Sequence, residues 1–152
     1  MITKKIAIGC DDAAVEMKNT LKQYLTELGF EVSDFGVEAG VSVHYPDIAY
    51  QLATSVRDGA QELGILCCGT GIGMAITANK VNGIRAAQAH DTYSAQRARK
   101  SNDAQIITLG ARVVGIELAK EIVHAFVTSD FEAGRSGPKV ERIRYYENLD
   151  KR

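Results

Sequence analysis

Leu63-Gly64-Ile65-Leu66-Cys67-Cys68-Gly69-Thr70-Gly71-Ile72-Gly73 is an apolar run that ends in two thiols and turns through three glycines. A helix-compatible stretch, Met74 to Lys80, follows it. The pattern predicts a buried strand over Leu63–Leu66, a tight turn and a helix. It sets a thiol at the carboxyl end of a strand, beside backbone N–H groups able to hold an anion. A base next to an anion-holding turn is the minimum equipment for moving a proton on a carbon beside a carbonyl.

The same alternation extends both ways along the chain. Ile6–Gly9, Phe30–Phe35, Ile84–Ala87 and Ala104–Leu109 read as further strands, short and apolar or alternating. Helical spacing runs through Val15, Leu21, Tyr24, Leu25 and Leu28, ending at Gly29, and through Ile48, Leu52, Ala53 and Val56 after Pro46. It returns over Asp91–Lys100, over Ile116–Val127 and over about 140–149. Asp11 and Asp12 sit where the first helix should begin and read as its caps. Five strands alternating with helices predict a three-layer α/β/α, Rossmann-like fold with a five-stranded parallel sheet. No repeat or linker divides residues 1–152, so a single domain is expected.

Composition narrows the classes of function. The net charge of −1 argues against a nucleic-acid binder, which carries a basic field. No apolar stretch reaches membrane-spanning length, and Met1–Lys5 leads into a strand without a signal-like apolar core. Three cysteines, two of them adjacent, do not make a disulfide framework, so a cytoplasmic location is expected. His44, His90 and His124 lack metal-ligand spacing, and neither a metal nor another cofactor is expected.

In a doubly wound sheet, ligands bind beyond the strand carboxyl ends. Those ends carry Cys10-Asp11-Asp12, the loop from Gly36, Cys68–Gly73, Gln88-Ala89-His90-Asp91 and Gly110-Ala111-Arg112. Neighbouring residues of a strand face opposite sides, so one cysteine is core while the other reaches the pocket. Cys68, nearer the turn, is expected to be the exposed one. Gly69, Gly71 and Gly73 lack the spacing of a dinucleotide loop and follow the third strand instead of the first. At a strand end, Asp11 and Asp12 can cap a helix or accept hydrogen bonds from sugar hydroxyls. Arg112, Arg135 and Lys139 are either solvated charges or a phosphate clamp.

The chain resembles the ribose-5-phosphate isomerase B and galactose-6-phosphate isomerase family. The resemblance rests on Ile8-Gly9-Cys10-Asp11, Tyr45-Pro46, Cys68–Gly73, Ala78-Asn79-Lys80 and Gly83-Ile84-Arg85. It continues through Tyr93-Ser94-Ala95, Asn102-Asp103, Gly110–Gly115 and Gly134-Arg135. It implies a metal-independent aldose–ketose isomerase in which Cys68 carries a proton between C1 and C2 of an open-chain sugar phosphate. It further implies that N–H groups of Gly69, Gly71, Ile72, Gly73 and Met74 hold the enediolate oxygen and that Thr70 assists proton movement. Asp11, Tyr45 and Asn102 match substrate contacts, and Arg112 and Arg135 match phosphate contacts. The family implies a homodimer or homotetramer with shared active sites, the segment about 140–149 packing on a partner.

Two departures bear on the substrate. Asp12 stands where family ribose-phosphate isomerases commonly have histidine after Gly-Cys-Asp, and Ser101 replaces the histidine assigned to ring opening. Lys139 replaces a common arginine. A serine hydroxyl is a poor acid near neutral pH, whereas imidazole is a good one. Erythrose 4-phosphate cannot form the furanose ring that ribose 5-phosphate forms, because its C4 oxygen carries the phosphate. Together with the resemblance of His90–Ala95 and Gly134-Arg135-Ser136 to the erythrulose-4-phosphate isomerase branch, this favours a four-carbon substrate. The alternatives are a ribose 5-phosphate/ribulose 5-phosphate isomerase, with His90 as a ring-opening acid, and a non-catalytic sugar-phosphate sensor.

Overall fold

The computed structural model describes residues 4–150, so Met1 to Thr3, read above as part of the strand approach, lie outside the described residues. Five strands, β1 (Lys5–Cys10), β2 (Glu31–Asp34), β3 (Leu63–Cys68), β4 (Ala86–Gln88) and β5 (Ile106–Gly110), form one parallel sheet ordered β2-β1-β3-β5-β4. Helices α1 (Val15–Glu27), α2 (Tyr45–Arg57), α3 (Ile72–Ala78), α4 (Thr92–Lys100), α5 (Ile116–Val127) and α6 (Ala133–Leu149) complete the chain.

Strand parity builds two cores. Ile6, Ile8 and Cys10 of β1 and Ile65 and Cys67 of β3 point to one face, where α1, α4 and α5 cover them with Leu21, Ala95 and Phe126. Ala7, Leu66 and Cys68 point to the other, against Ile48, Leu52 and Met74 of α2 and α3. Gly9 and Gly64 share that second face, and the missing Cβ admits α2: a Cβ on Gly64 would lie 2.7 Å from Leu52 Cδ2. The three-layer α/β/α arrangement is the one the alternation predicts.

Boundaries differ where local signals mislead. α1 does not use Asp11 or Asp12 as its cap; it starts at Val15 after Ala14, and Asp11 Oδ1 instead accepts the Ala13 N–H at 3.0 Å. The aspartate thus closes a turn on its own loop. α6 begins at Ala133, well before residue 140, because Gly134 (φ −10°, ψ −106°) breaks only its first turn. Pro138 then falls early in the helix proper, where proline costs least. β3 runs through both cysteines to Cys68.

The two ends of the sheet carry different residues. The strand carboxyl ends present Asp11, Cys68, His90 and Arg112. At the opposite end Lys4 Nζ donates to the Val127 carbonyl, the Glu132 N–H to the Lys100 carbonyl, and the Gly83 N–H to Glu147 Oε1. The end of α4 and the start of α6 therefore meet at this end of the sheet, and α6 runs along it to Glu147, away from the thiol.

Candidate active site

Cys68 is the last residue of β3, in register with Gly110 of β5. Its Sγ accepts the Gly71 N–H at 3.1 Å. Gly71 adopts φ +79°, and a Cβ there would lie 3.0 Å from the Leu109 backbone, so only glycine serves the turn. The loop is fastened carbonyl by carbonyl: Gly69 takes the Arg112 N–H (3.0 Å), Thr70 takes Gln88 Nε2 (2.8 Å) and Gly71 takes the buried Thr108 hydroxyl (2.7 Å). The Thr70 hydroxyl accepts the Ile72 N–H at 3.3 Å. The N–H groups of Gly73 and Met74, in the first turn of α3, have no backbone acceptor among the described residues.

The two thiols differ in surroundings more than in exposure. Cys67 is fully buried on the α1/α5 face, where desolvation pushes its pKa far above the ordinary thiol value and keeps it neutral. Cys10, its partner in register on β1, is likewise raised by burial, partly offset by the Val37 N–H and Lys18. Cys68 is not the exposed thiol expected from the sequence; it is 6% exposed, since β3 continues through it and α2 and α3 cover its face. What distinguishes it from Cys67 is the Gly71 N–H aimed at its sulfur, within the glycine loop that ends β3.

Around this thiol the structure gathers several of the residues singled out above. The Asp11 N–H donates to the Cys67 carbonyl at 3.3 Å, which seats the β1 loop beside the β3 loop. The Asp11 carboxyl is raised by partial burial, opposed by the Ala13 N–H and, more weakly, by the Arg112 charge. The Arg112 guanidinium lies over Gly69, where a Cβ would come 3.3 Å from Nη1. Tyr45, first residue of α2, lays its ring against Gly73. Met74 is fully buried and anchors α3, while Ile72 is 52% exposed. His90 Nε2 accepts the Gly110 N–H at 3.0 Å, which places the proton of the neutral ring on Nδ1. Its Nε2 is therefore committed to the backbone, a constraint on any ring-opening role.

Other expected site residues are not brought there within one chain. Ser101 caps the far end of α4 and accepts both Arg97 Nε (2.8 Å) and Nη2 (2.5 Å). Asn102 is exposed beside it, its carbonyl taken by Arg85 Nε at 3.1 Å. Arg135 and Lys139 project, exposed, from the start of α6 at this same end. Asp12 is exposed and lines a separate groove with Asn19 and Gly40. Among the described residues, no three His, Cys, Asp or Glu side chains converge as metal ligands would. No helix among them is long and apolar enough to cross a membrane.

The sequence sets Gln88 at a strand carboxyl end and Thr108 within a strand but gives neither a role in the site. Each holds the loop across 18 and 37 residues of chain respectively. The one local signal was polarity: Thr108 interrupts the apolar Ile106-Ile107-Leu109 run and is fully buried.

The parallel sheet thus carries a thiol, a glycine loop and an arginine at its carboxyl end, where α/β enzymes of this layered class bind their ligands. The model of the family described as Ribose/Galactose Isomerase matches residues 6–143. A D-erythrulose-4-phosphate isomerase of Pectobacterium atrosepticum is 60% identical over 96% of this chain and 97% of its own length. A ribose-5-P isomerase B of Listeria innocua is 55% identical over 90% of this chain and 93% of its own length. The ribose-5-phosphate isomerase B structure of Clostridium thermocellum superposes with a TM-score of 0.94 at 41% identity, covering 97% of this chain and 99% of that one. The chain belongs to the ribose/galactose isomerase family, and its activity is isomerisation.

Proposed function

We propose that the chain interconverts erythrulose 4-phosphate and erythrose 4-phosphate by proton transfer through Cys68. The observation that carries this reading is the Gly71 N–H on Cys68 Sγ at 3.1 Å, in a loop overhung by Arg112. An N–H donor favours the thiolate, the form that acts as base. The thiolate takes a proton from C1 of the open-chain ketose, and that C–H pair becomes the C1–C2 double bond. Negative charge collects on O2, for which the Gly73 and Met74 N–H groups are the uncommitted donors, since those of Gly71 and Ile72 are taken by Cys68 Sγ and the Thr70 hydroxyl. The O1 proton moves to O2 with help from the Thr70 hydroxyl. Cys68 then returns its proton to C2, leaving an aldehyde at C1. The 60% identical relative named for erythrulose 4-phosphate supports the tetrose substrate, as does Ser101, which has no acid for opening a ring.

We further propose that the working site is shared between two copies in a homodimer or a tetramer built from it. β5, with 5 residues, is about 16 Å long at about 3.3 Å per residue. A four-carbon sugar phosphate is too short to reach from Cys68 at one end of the sheet to Asn102, Arg135 and Lys139 at the other. A partner related by a two-fold axis and lying antiparallel supplies those residues from its own far end. Ile72 and Ile76, 52% and 57% exposed and one helical turn apart on α3 beside the loop, offer apolar surface for such contact.

Ribose 5-phosphate is the second reading, favoured by the Listeria relative's name and by the free Nδ1–H of His90. Steady-state comparison of the two substrates decides between them. A kcat/KM clearly higher for erythrulose 4-phosphate is expected; a higher value for ribose 5-phosphate overturns the tetrose assignment. Cys68→Ser and Cys68→Ala should remain folded yet lose exchange of substrate hydrogen with deuterated solvent. Turnover retained in both would remove Cys68 as the base.

A further inference from the structure

We infer that Gln88 is a positioning residue that aims the Gly71 N–H at the Cys68 sulfur. The Thr70 carbonyl and the Gly71 N–H belong to one planar peptide unit and point in opposite directions, the bond being trans. Gln88 Nε2 holds the carbonyl end at 2.8 Å, while the N–H end reaches Cys68 Sγ at 3.1 Å. Rotating this peptide about its flanking bonds would swing both groups together, so fixing one fixes the other.

The neighbouring peptides have separate fastenings. The Gly69 carbonyl is held by the Arg112 N–H and the Gly71 carbonyl by Thr108 and the Ala75 N–H. Among the described residues, Gln88 is the partner of the Thr70 carbonyl between them. Gln88 is exposed at the end of the edge strand β4, so packing does not demand a glutamine there. A donor on the carbonyl also polarises the same peptide and strengthens its N–H as a donor to a thiolate.

The consequence for catalysis rests on the proposed role of Cys68 as base; the consequence for the thiol does not. Gln88→Met keeps length and removes the donor, and Gln88→Glu sets a carboxylate against the carbonyl. Both should fold with an unchanged melting temperature. For Gln88→Met, kcat should fall about three- to tenfold, the worth of one modest hydrogen bond, with KM little changed. The acid limb of the kcat–pH profile should move to higher pH, because less thiolate is stabilised. Alkylation of Cys68 by iodoacetamide at neutral pH, followed by peptide mass spectrometry, should slow by a similar factor, and Gln88→Glu should slow it further. An unchanged pH profile and alkylation rate would overturn the inference, as would activity lost only together with the folded state. Should Cys68→Ser and Cys68→Ala both keep their turnover, the base assignment fails while the alkylation rates still decide the role of Gln88.

Discussion

The ring of Tyr45 occupies the space that a side chain on Gly73 would need, so α2 and the cysteine loop meet edge to edge at the site. Gly73→Ala brings opposing effects. Alanine in the first turn of a helix gains up to about 1 kcal/mol of propensity over glycine, while the new methyl collides with the tyrosine ring. That ring is 39% exposed and free to swing outward, so the fold should survive. The expected outcome is a melting temperature within a few degrees of the parent and a kcat/KM reduced about tenfold or more by displacement of Tyr45. Steady-state kinetics beside a melting curve checks it. Tyr45→Phe, which removes only the hydroxyl, should act mainly on KM.

Gly110 is a harsher position. A Cβ there would lie 2.7 Å from Thr70 Cα and 2.8 Å from the Gly69 carbonyl oxygen, and backbone cannot swing aside as a ring can. Gly110→Ala should therefore push the loop off Cys68 and cost both stability and activity. Overpacking of this kind costs typically about 1–3 kcal/mol. Gly115, where a Cβ would meet nothing within 4 Å, is the control: Gly115→Ala should cost only the weaker N-cap of α5, about 0.5–1 kcal/mol, with the site untouched and activity kept. Equal melting temperatures for the two variants would contradict the packing described for Gly110.

The difference between these glycines is invisible in sequence, and so is much else about the site. β1, β3 and β5 are legible because both faces are buried and their residues are almost wholly apolar. The β2-β1-β3-β5-β4 order is not, since right-handed crossovers permit β4 either inside or outside β5. The polar ending of Ala86-Ala87-Gln88 was the available sign of an edge strand. Strand parity separates Cys67 from Cys68 without coordinates, yet it says nothing of burial, which depends on α2 and α3. Asp11 looks like a helix cap in sequence because an aspartate that accepts a turn amide two residues on has the same local pattern. The clamps from Gln88 and Thr108 join strands distant in sequence, where no local pattern can record them.

Lys18, 4% exposed, reaches Asp34 at 2.8 Å beneath the loop that starts at Gly36, and Lys22 adds a second contact at 3.2 Å. Burial alone would raise the Asp34 carboxyl, but hydrogen bonds from Lys18, the Gly36 N–H and Lys22 outweigh it, and the net shift is downward. A folded-state carboxyl held below its unfolded value contributes stability above that value, near about pH 3.9, and loses it as pH falls through the folded one. Denaturant melts should accordingly show Asp34→Asn flattening the acid loss of stability below about pH 4. At pH 7 the same variant should be destabilised by about 3 kcal/mol, because it leaves a buried ammonium without its counter-charge. A parent and variant with parallel pH–stability curves would refute the pairing as a stabilising one.

Mixing two dead variants tests the shared site directly. Cys68→Ala removes the base at the strand carboxyl ends, and Arg135→Ala removes a cation at the opposite end of the sheet. If each site joins the loop of one copy to the α6 start of another, a mixed dimer holds one doubly damaged site and one intact site. Random exchange makes half the dimers mixed, so the mixture should recover about a quarter of the parent activity per chain, as expected for two-fold pairing. If every residue of a site comes from a single chain, each copy in the mixture remains damaged and nothing is recovered. The two variants should therefore be unfolded and refolded together, then assayed against each refolded alone. Recovery near a quarter supports the two-copy site; activity no higher than that of the separate variants rules it out.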